Sequence, residues 1–309
     1  MSRPRRILVI KLGALGDIVQ AMGPAAAIRR HHPGAEIVLL TSRPYADFLA
    51  AAPYFDAVWV DERPGLRKPL GVWRLRRRLR EGRFDRVYDL QTSDRSSHYH
   101  FLMGPGPRPE WSGIARGATH PHDNPARDFM HTLERQAEQL ARAGIAPVPP
   151  PDLRWVEADV SRFNLPARFA LLVPGGAEHR PAKRWPVANY AALAKEFAAR
   201  GIAPVILGGP GERALGAAIK SACPAAIDLT GATTLADVAA LGRGAAWAIG
   251  NDTGPMHLLA AVGTPLTVLY SADSDPALTA PRGARVTVVQ RPRLADLTMA
   301  EVAATLAIG

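Results

Sequence analysis

The stretch ILVIKLGALGD (residues 7–17) decides the fold. Its apolar run shows no polar alternation, as expected of a strand buried on both faces in a parallel sheet. KLGALGD follows without a break. Gly13 and Gly16 let the backbone turn tightly and approach a ligand closely. A helix is expected from 17 to 30, with Asp17 at its start. Working outward, EIVLLTS (36–42), AVWVD (57–61) and RVYDLQ (86–91) read as further strands with helical patterns between them. Such alternation implies βαβ units in an open parallel sheet. Residues 104–127 carry Gly, Pro, His and Arg with little periodicity and read as a long loop. A helix is expected over 128–143, and PVPPPDL (147–153) is a stiff connector.

The second half repeats the pattern. Strands are expected at FALLVPG (169–175), APVILGG (203–209), AAIDLTG (225–231), AAWAIGND (245–252) and PLTVLYS (265–271). Helices begin near Pro186, Glu212, Thr234 and Gly254, and a last helix over 298–308 could cross back onto the first domain. The expected fold class is therefore α/β: two Rossmann-like domains, 1–155 and 156–309, with parallel sheets facing a cleft. Ligands bind at the carboxyl edges of such sheets.

The chain has 309 residues, 47% of them hydrophobic and 21% charged, which suits real cores and not disorder. Cys223 is the single cysteine, so a disulfide within the chain is excluded and a reducing cytosol fits. The apolar run at 7–10 is too short for a signal peptide core, and no stretch approaches the length of a membrane span. A soluble protein is expected, able to touch a membrane surface. The net charge of +10 is concentrated: residues 63–86 hold ten Lys or Arg and two acids, a net +8. That segment is either a solvated helix face or an attractor for an anionic partner.

Four segments carry chemistry. KLGALGD is neither a Walker loop nor G-x-G-x-x-G. Asp17 reads first as an N-cap or first-turn acid favoured by the helix dipole, and otherwise as a reacting carboxylate. In VPGGAEHRPAKRWP (173–186), Lys183 and Arg184 precede a helix start, where positive charge opposes the dipole. They suit a diphosphate, or form a surface pair. In IGNDTGPMHLLAAVGTP (249–265), Asp252 and Thr253 stand at a strand–helix junction whose N–H groups are free for an anion. Thr253 is alternatively a plain N-cap, and His257 a satisfied helix histidine. In LGGPGERA (207–214), Glu212 is placed to meet a ribose hydroxyl or to serve as a first-turn acid. Asp273-Ser274-Asp275 resembles a metal-binding D-x-D, but reads better as a turn.

In this order the segments resemble glycosyltransferase family 9, the bacterial heptosyltransferases of lipopolysaccharide core assembly. The likeness rests on residues 7–42, on PGGAEHRPAKRWP (174–186), closer to the heptosyltransferase II subgroup, and on GNDTGPMHLLAAVGTP (250–265). The resemblance implies a GT-B fold, an ADP-heptose donor, an anionic lipopolysaccharide-type acceptor, and inversion at the anomeric carbon with no metal or other cofactor. It places Asp17 at the catalytic base, Lys183 at the donor phosphates, Asp252 near the sugar, and Thr253 and Gly254 at the phosphate-facing turn. Glu212 falls at the ribose and Thr233 near the adenine; Gly13 and Gly16 shape the first loop. With such an acceptor, Arg74, Arg76, Arg77, Arg78 and Arg80 would steer it or hold the enzyme against a membrane. A cytoplasmic enzyme, peripheral on the inner membrane, and no nucleic-acid partner are expected. Ser271 departs from the glycine frequent in the family, and residues 62–127 carry no transferable signature. Competing expectations are a different nucleotide-sugar donor or acceptor, an epimerase of the same architecture, and a non-catalytic nucleotide or nucleic-acid binder.

Overall fold

In a computed structural model describing residues 5–65, 69–176 and 180–306, the apolar run after Arg6 forms the first strand, β1 (Arg6–Ile10). Ile7, Leu8, Val9 and Ile10 are at most 1% exposed, so both faces of β1 are covered. The chain continues through α1 (Leu15–Gln20), α2 (Met22–His31), β2 (Glu36–Ser42), α3 (Arg43–Ala50) and β3 (Ala57–Asp61). Then come α4 (Pro69–Glu81), β4 (Arg86–Asp89), α5 (Asp94–Leu102), β5 (Glu110–Gly113), β6 (His120–Pro121) and α6 (Thr132–Arg142). These elements make up one compact unit, Met1–Trp155. Its strands form a single sheet, β3-β2-β1-β4-β5-β6, with every pairing parallel. Leu8, Ile10, Val38, Val87 and Trp111 are central to its core. Each fully buried Leu or Ile there contributes roughly 1.5–3 kcal/mol relative to exposure.

The second unit, Val156–Gly309, holds β7 (Phe169–Val173), α7 (Val187–Ala199), β8 (Ala203–Ile206), α8 (Arg213–Ala222), β9 (Ile227–Asp228) and α9 (Leu235–Gly244). It ends with β10 (Trp247–Asn251), α10 (Gly254–Ala261), β11 (Leu266–Tyr270), α11 (Pro276–Thr279), β12 (Val286–Gln290) and α12 (Met299–Ala304). The sheet order is β9-β8-β7-β10-β11-β12, again all parallel. Counted from its own first strand, this is the order of the first unit. In each sheet the order reverses between the first and fourth strands, β1/β4 and β7/β10. Loops leaving the carboxyl ends there diverge and leave a crevice where ligands bind in this class of fold.

Several expectations are corrected. The single helix over 17–30 is two, α1 and α2, joined at Ala21. Pro24 has no N–H to offer the carbonyl four residues back, so one continuous helix cannot run through it. α1 begins at Leu15, which puts Gly16 inside the helix and not in the turn. The loop over 104–127 contains β5 and β6, strands of four and two residues that extend the sheet, too short to show periodicity. The helix over 128–143 is a 3₁₀ turn, Arg127–Phe129, followed by α6. β9 keeps two of the seven residues expected, and β12, an edge strand, is additional. Within the second unit α12 docks on α7, and Val302 and Leu306 lie in the core with Trp185, Tyr190 and Phe197.

Candidate active site

The loop after β1 is pinned by three other strand ends. Leu12 N–H donates to Gln91 Oε1 at 2.8 Å, beyond β4. The Leu12 carbonyl accepts from Ser42 Oγ at 2.5 Å, at the end of β2, and from an Arg63 Nη at 3.0 Å, beyond β3. Gly13 then turns with φ +136°, and a Cβ on it would lie 2.8 Å from the Tyr45 ring, so the position needs glycine twice over. The turn lines a hollow of about 610 Å³ together with Asp17, Arg43, Tyr45, Asp61, Glu62 and Arg63. Asp17 is the third residue of α1. One carboxylate oxygen accepts from Ala14 N–H at 3.2 Å, and the other lies 3.7 Å from Lys11 Nζ. Asp17 thus does serve its helix start. Its side chain is also 40% exposed on the wall of the hollow, which a pure cap would not require. Burial raises the Tyr45 phenol above its usual range; Arg63 pulls it down and Asp17 adds to the rise.

In the second unit the corresponding crevice is organised by Asn251, the last residue of β10. Its Nδ2 donates to the carbonyls of Pro174 and Gly175, each at 2.9 Å. Its Oδ1 accepts from Trp185 N–H at 2.9 Å and from the Tyr190 hydroxyl at 3.1 Å. One fully buried amide therefore fixes the loop after β7, the start of α7 and the end of β10 together. Next to it, Lys183 Nζ donates to Asp252 Oδ2 at 2.8 Å, and Ser274 Oγ donates to the same oxygen at 2.7 Å. Both side chains of the Lys183–Asp252 pair are only 12–13% exposed. Burial alone would raise the Asp252 pKa, but the hydrogen bonds of Lys183 and Ser274 and the lysine charge carry it below the usual carboxylate range. The pair holds an ammonium in place at the edge of the crevice, where an incoming diphosphate would find it already desolvated.

Glu212 does more than start a helix. Its two oxygens accept from Gly176 N–H at 2.9 Å and Gly209 N–H at 2.7 Å, clamping the turns after β7 and β8. A Cβ on Gly175 would fall 1.6 Å from Glu212 Oε1, so the carboxylate occupies the space a side chain would need. Thr253 stands at the N-cap position of α10 without a side-chain capping bond, and Gly254 opens the helix. Thr233 is half-buried in the loop before α9, and His257 is buried within α10. Lys183, Asp252, Thr253, Gly254 and Glu212 thus share one cluster of carboxyl-edge loops. Gly13 and Asp17 belong to the first unit's hollow. In the D-x-D segment only Ser274 reaches the site, and Asp275 caps α11 through Ala277 N–H at 2.8 Å. Among the described residues no group of three or more His, Cys, Asp or Glu is arranged to hold a metal.

The basic segment divides. Arg76 is half-buried and donates to the Gly104 carbonyl at 2.8 Å, while Arg78 lies over the Trp59 ring at 4.4 Å and stays exposed. Arg74, Arg77 and Arg80 lie on the exposed side of α4, with Arg77 over the half-exposed Trp73, while Leu75 and Leu79 pack inward. Arg67 and Lys68 of the segment lie outside the described residues, as do 177–179 of the PGGAEHR motif. No described helix is long and apolar enough to cross a membrane. Sequence reasoning had not singled out Lys11, Tyr45, Arg63, Gln91 or Asn251. Each stands at or within a few residues of a strand's carboxyl end, which was the available signal.

The family model of glycosyltransferase family 9 (heptosyltransferase) matches residues 72–304. Lipopolysaccharide heptosyltransferase 2 of Escherichia coli strain K12 is 28% identical over 315 residues, covering 92% of this chain and 88% of that protein. Lipooligosaccharide heptosyltransferase 2 of Haemophilus influenzae is 26% identical over 314 residues, with the same coverage. Among solved structures, E. coli ADP-heptose lipopolysaccharide heptosyltransferase II superposes with a TM-score of 0.81 at 24% identity, over 97% of each chain. The fold class is therefore that of these enzymes, two Rossmann-like α/β domains of the GT-B type.

Proposed function

The chain belongs to glycosyltransferase family 9, and from that premise we propose that it moves a heptose from ADP-heptose to a lipopolysaccharide core acceptor. The similar proteins named for this activity support the donor and the acceptor class. The observation that carries the reading is the Lys183–Asp252 ion pair in the crevice between β7 and β10. A buried, preoriented ammonium beside the start of α10 at Thr253 and Gly254 suits a nucleoside diphosphate leaving group.

The reaction is a single displacement. Asp17 accepts the proton of the acceptor hydroxyl while that oxygen bonds to the anomeric carbon. The bond from that carbon to the diphosphate breaks, the configuration inverts, and ADP leaves with the electron pair. Lys183 and the N–H groups neutralise the developing charge, the task a metal performs in other transferases. In this scheme the first unit contributes base and acceptor surface and the second holds the donor. Arg74, Arg77 and Arg80 attract the anionic acceptor, and the anionic cytoplasmic face of the inner membrane that presents it.

The test is transfer from ADP-heptose by Asp17→Asn alongside the parent protein, with donor binding measured separately. Transfer should fall about 10²-fold or more while binding is retained. Near-normal transfer by the variant removes Asp17 as base. Transfer by the parent protein from another sugar nucleotide, but not from ADP-heptose, removes the donor.

A further inference from the structure

Behind Asp17 lies a lysine for which the displacement scheme has no use. Lys11 is the first residue after β1 and 4% exposed. Its Nζ donates to the Leu90 carbonyl at 3.1 Å, across the β1/β4 switch point, and stands 3.7 Å from Asp17 Oδ1. An ammonium at this depth is costly unless it is paired. An apolar side chain could fill the space without that cost, so the charge itself calls for a reason. The hydrogen bond to Leu90 alone does not supply one, because a neutral donor would make it equally.

The groups facing Lys11 define its role. Asp17 approaches from α1, Asp89 from the end of β4 and Arg135 from α6. Burial lowers the Lys11 pKa most; Asp17 and Asp89 raise it, and Arg135 adds to the lowering. Asp17 in turn faces Tyr45 on α3 and Arg135. Asp89 is wholly buried, while Asp17 is the partner open to the hollow. Ala14 N–H holds one Asp17 oxygen and Lys11 faces the other. Between them the carboxylate is fixed in two directions.

We propose that Lys11 is a positioning residue for Asp17, its buried ammonium orienting the carboxylate toward the acceptor hydroxyl. The proposal rests on the reading of Asp17 as the base. Lys11 neither gains nor loses a proton: the acceptor's proton passes to Asp17, and the ammonium stays at the Leu90 carbonyl.

Three variants separate this role from a structural one. Lys11→Gln keeps a donor for Leu90 without the charge, Lys11→Met removes both, and Lys11→Arg keeps the charge. Thermal unfolding and circular dichroism establish which are folded. In Lys11→Gln and Lys11→Met, kcat should fall about tenfold with the donor KM within about twofold. The acidic limb of the kcat/KM profile should move to higher pH, as loss of a neighbouring cation requires. Lys11→Arg should recover part of both. In an Asp17→Asn background, Lys11→Gln should cost nothing further, because its effect runs through the missing carboxylate. If folded Lys11→Gln keeps the parent kcat and pH profile while Asp17→Asn is inactive, the positioning role is overturned and the base assignment stands. If Asp17→Asn is itself active, the base assignment falls first.

Discussion

At the scale of single residues, the chemistry of both units depends on charges held out of water by named partners. Lys183 and Asp252 stabilise each other, and Ser274 completes the carboxylate's shell. Asp89 is the opposite case. Burial raises its pKa from 3.8 to about 6, against hydrogen bonds from Thr92, Ser96 and Gln91 and the charge of Lys11. Because the folded value lies above the unfolded one, the native state binds the extra proton between them. The associated stability is present below about pH 4 and is lost as the pH rises through about 6. The difference of about 2 units is worth about 3 kcal/mol as an upper figure. Asp89→Asn should remove this dependence while retaining an acceptor for the Gln91 and Thr92 N–H groups. Urea unfolding of both proteins at pH 4 and pH 7 measures it: the parent should lose stability relative to the variant as pH rises. His100 and His122, whose pKa values burial lowers, titrate in both proteins and drop out of the difference. Parallel stability curves would show that Asp89 contributes no such term.

At the scale of elements, what matters is which face of a helix its neighbours consume. α4 carries five arginines; Arg76 turns to the Gly104 carbonyl, and the other four are exposed, Arg78 over the Trp59 ring. Arg74, Arg77, Arg78 and Arg80 remain exposed, and at roughly 1 kcal/mol per basic residue near an anionic surface such a set would suffice for transient association. Replacing Arg74, Arg77 and Arg80 together by Ala should raise the acceptor KM about tenfold or more at low salt and flatten its salt dependence. The donor KM should not move. An unchanged acceptor KM at low salt would return α4 to the status of a solvated face. The same logic explains why part of the site could not be read locally. Glu212 reads as a ribose contact or a first-turn acid because its strand end and helix start are visible in the sequence. Its grip on Gly176, 36 residues away, is not.

At the scale of the whole molecule, two sheets of identical strand order each bring a crevice to the carboxyl end of their first and fourth strands. We assign the donor to the second of them. Ligand bound only to the folded form stabilises it by about 2.7 kcal/mol at about 100 times its Kd. ADP and ADP-heptose should therefore raise the unfolding midpoint, UDP- and GDP-sugars at the same concentration should not, and Lys183→Ala should lose most of the rise. A larger shift with a uridine nucleotide would reassign the donor within the family. The α/β class, the parallel sheets and the family likeness were legible in the sequence, because unalternating apolar runs and Gly-containing loops are local patterns that carry their own physical meaning. Tertiary structure alone decided that β5, β6 and β12 extend the sheets, that Arg76 turns inward to Gly104, and that Glu212 clamps two turns. It also decided that Lys183 meets Asp252 across 69 residues and that Lys11 stands behind Asp17 while bonding Leu90 across 79. Those pairings join residues distant in sequence, and only the register of strands brought side by side can set them.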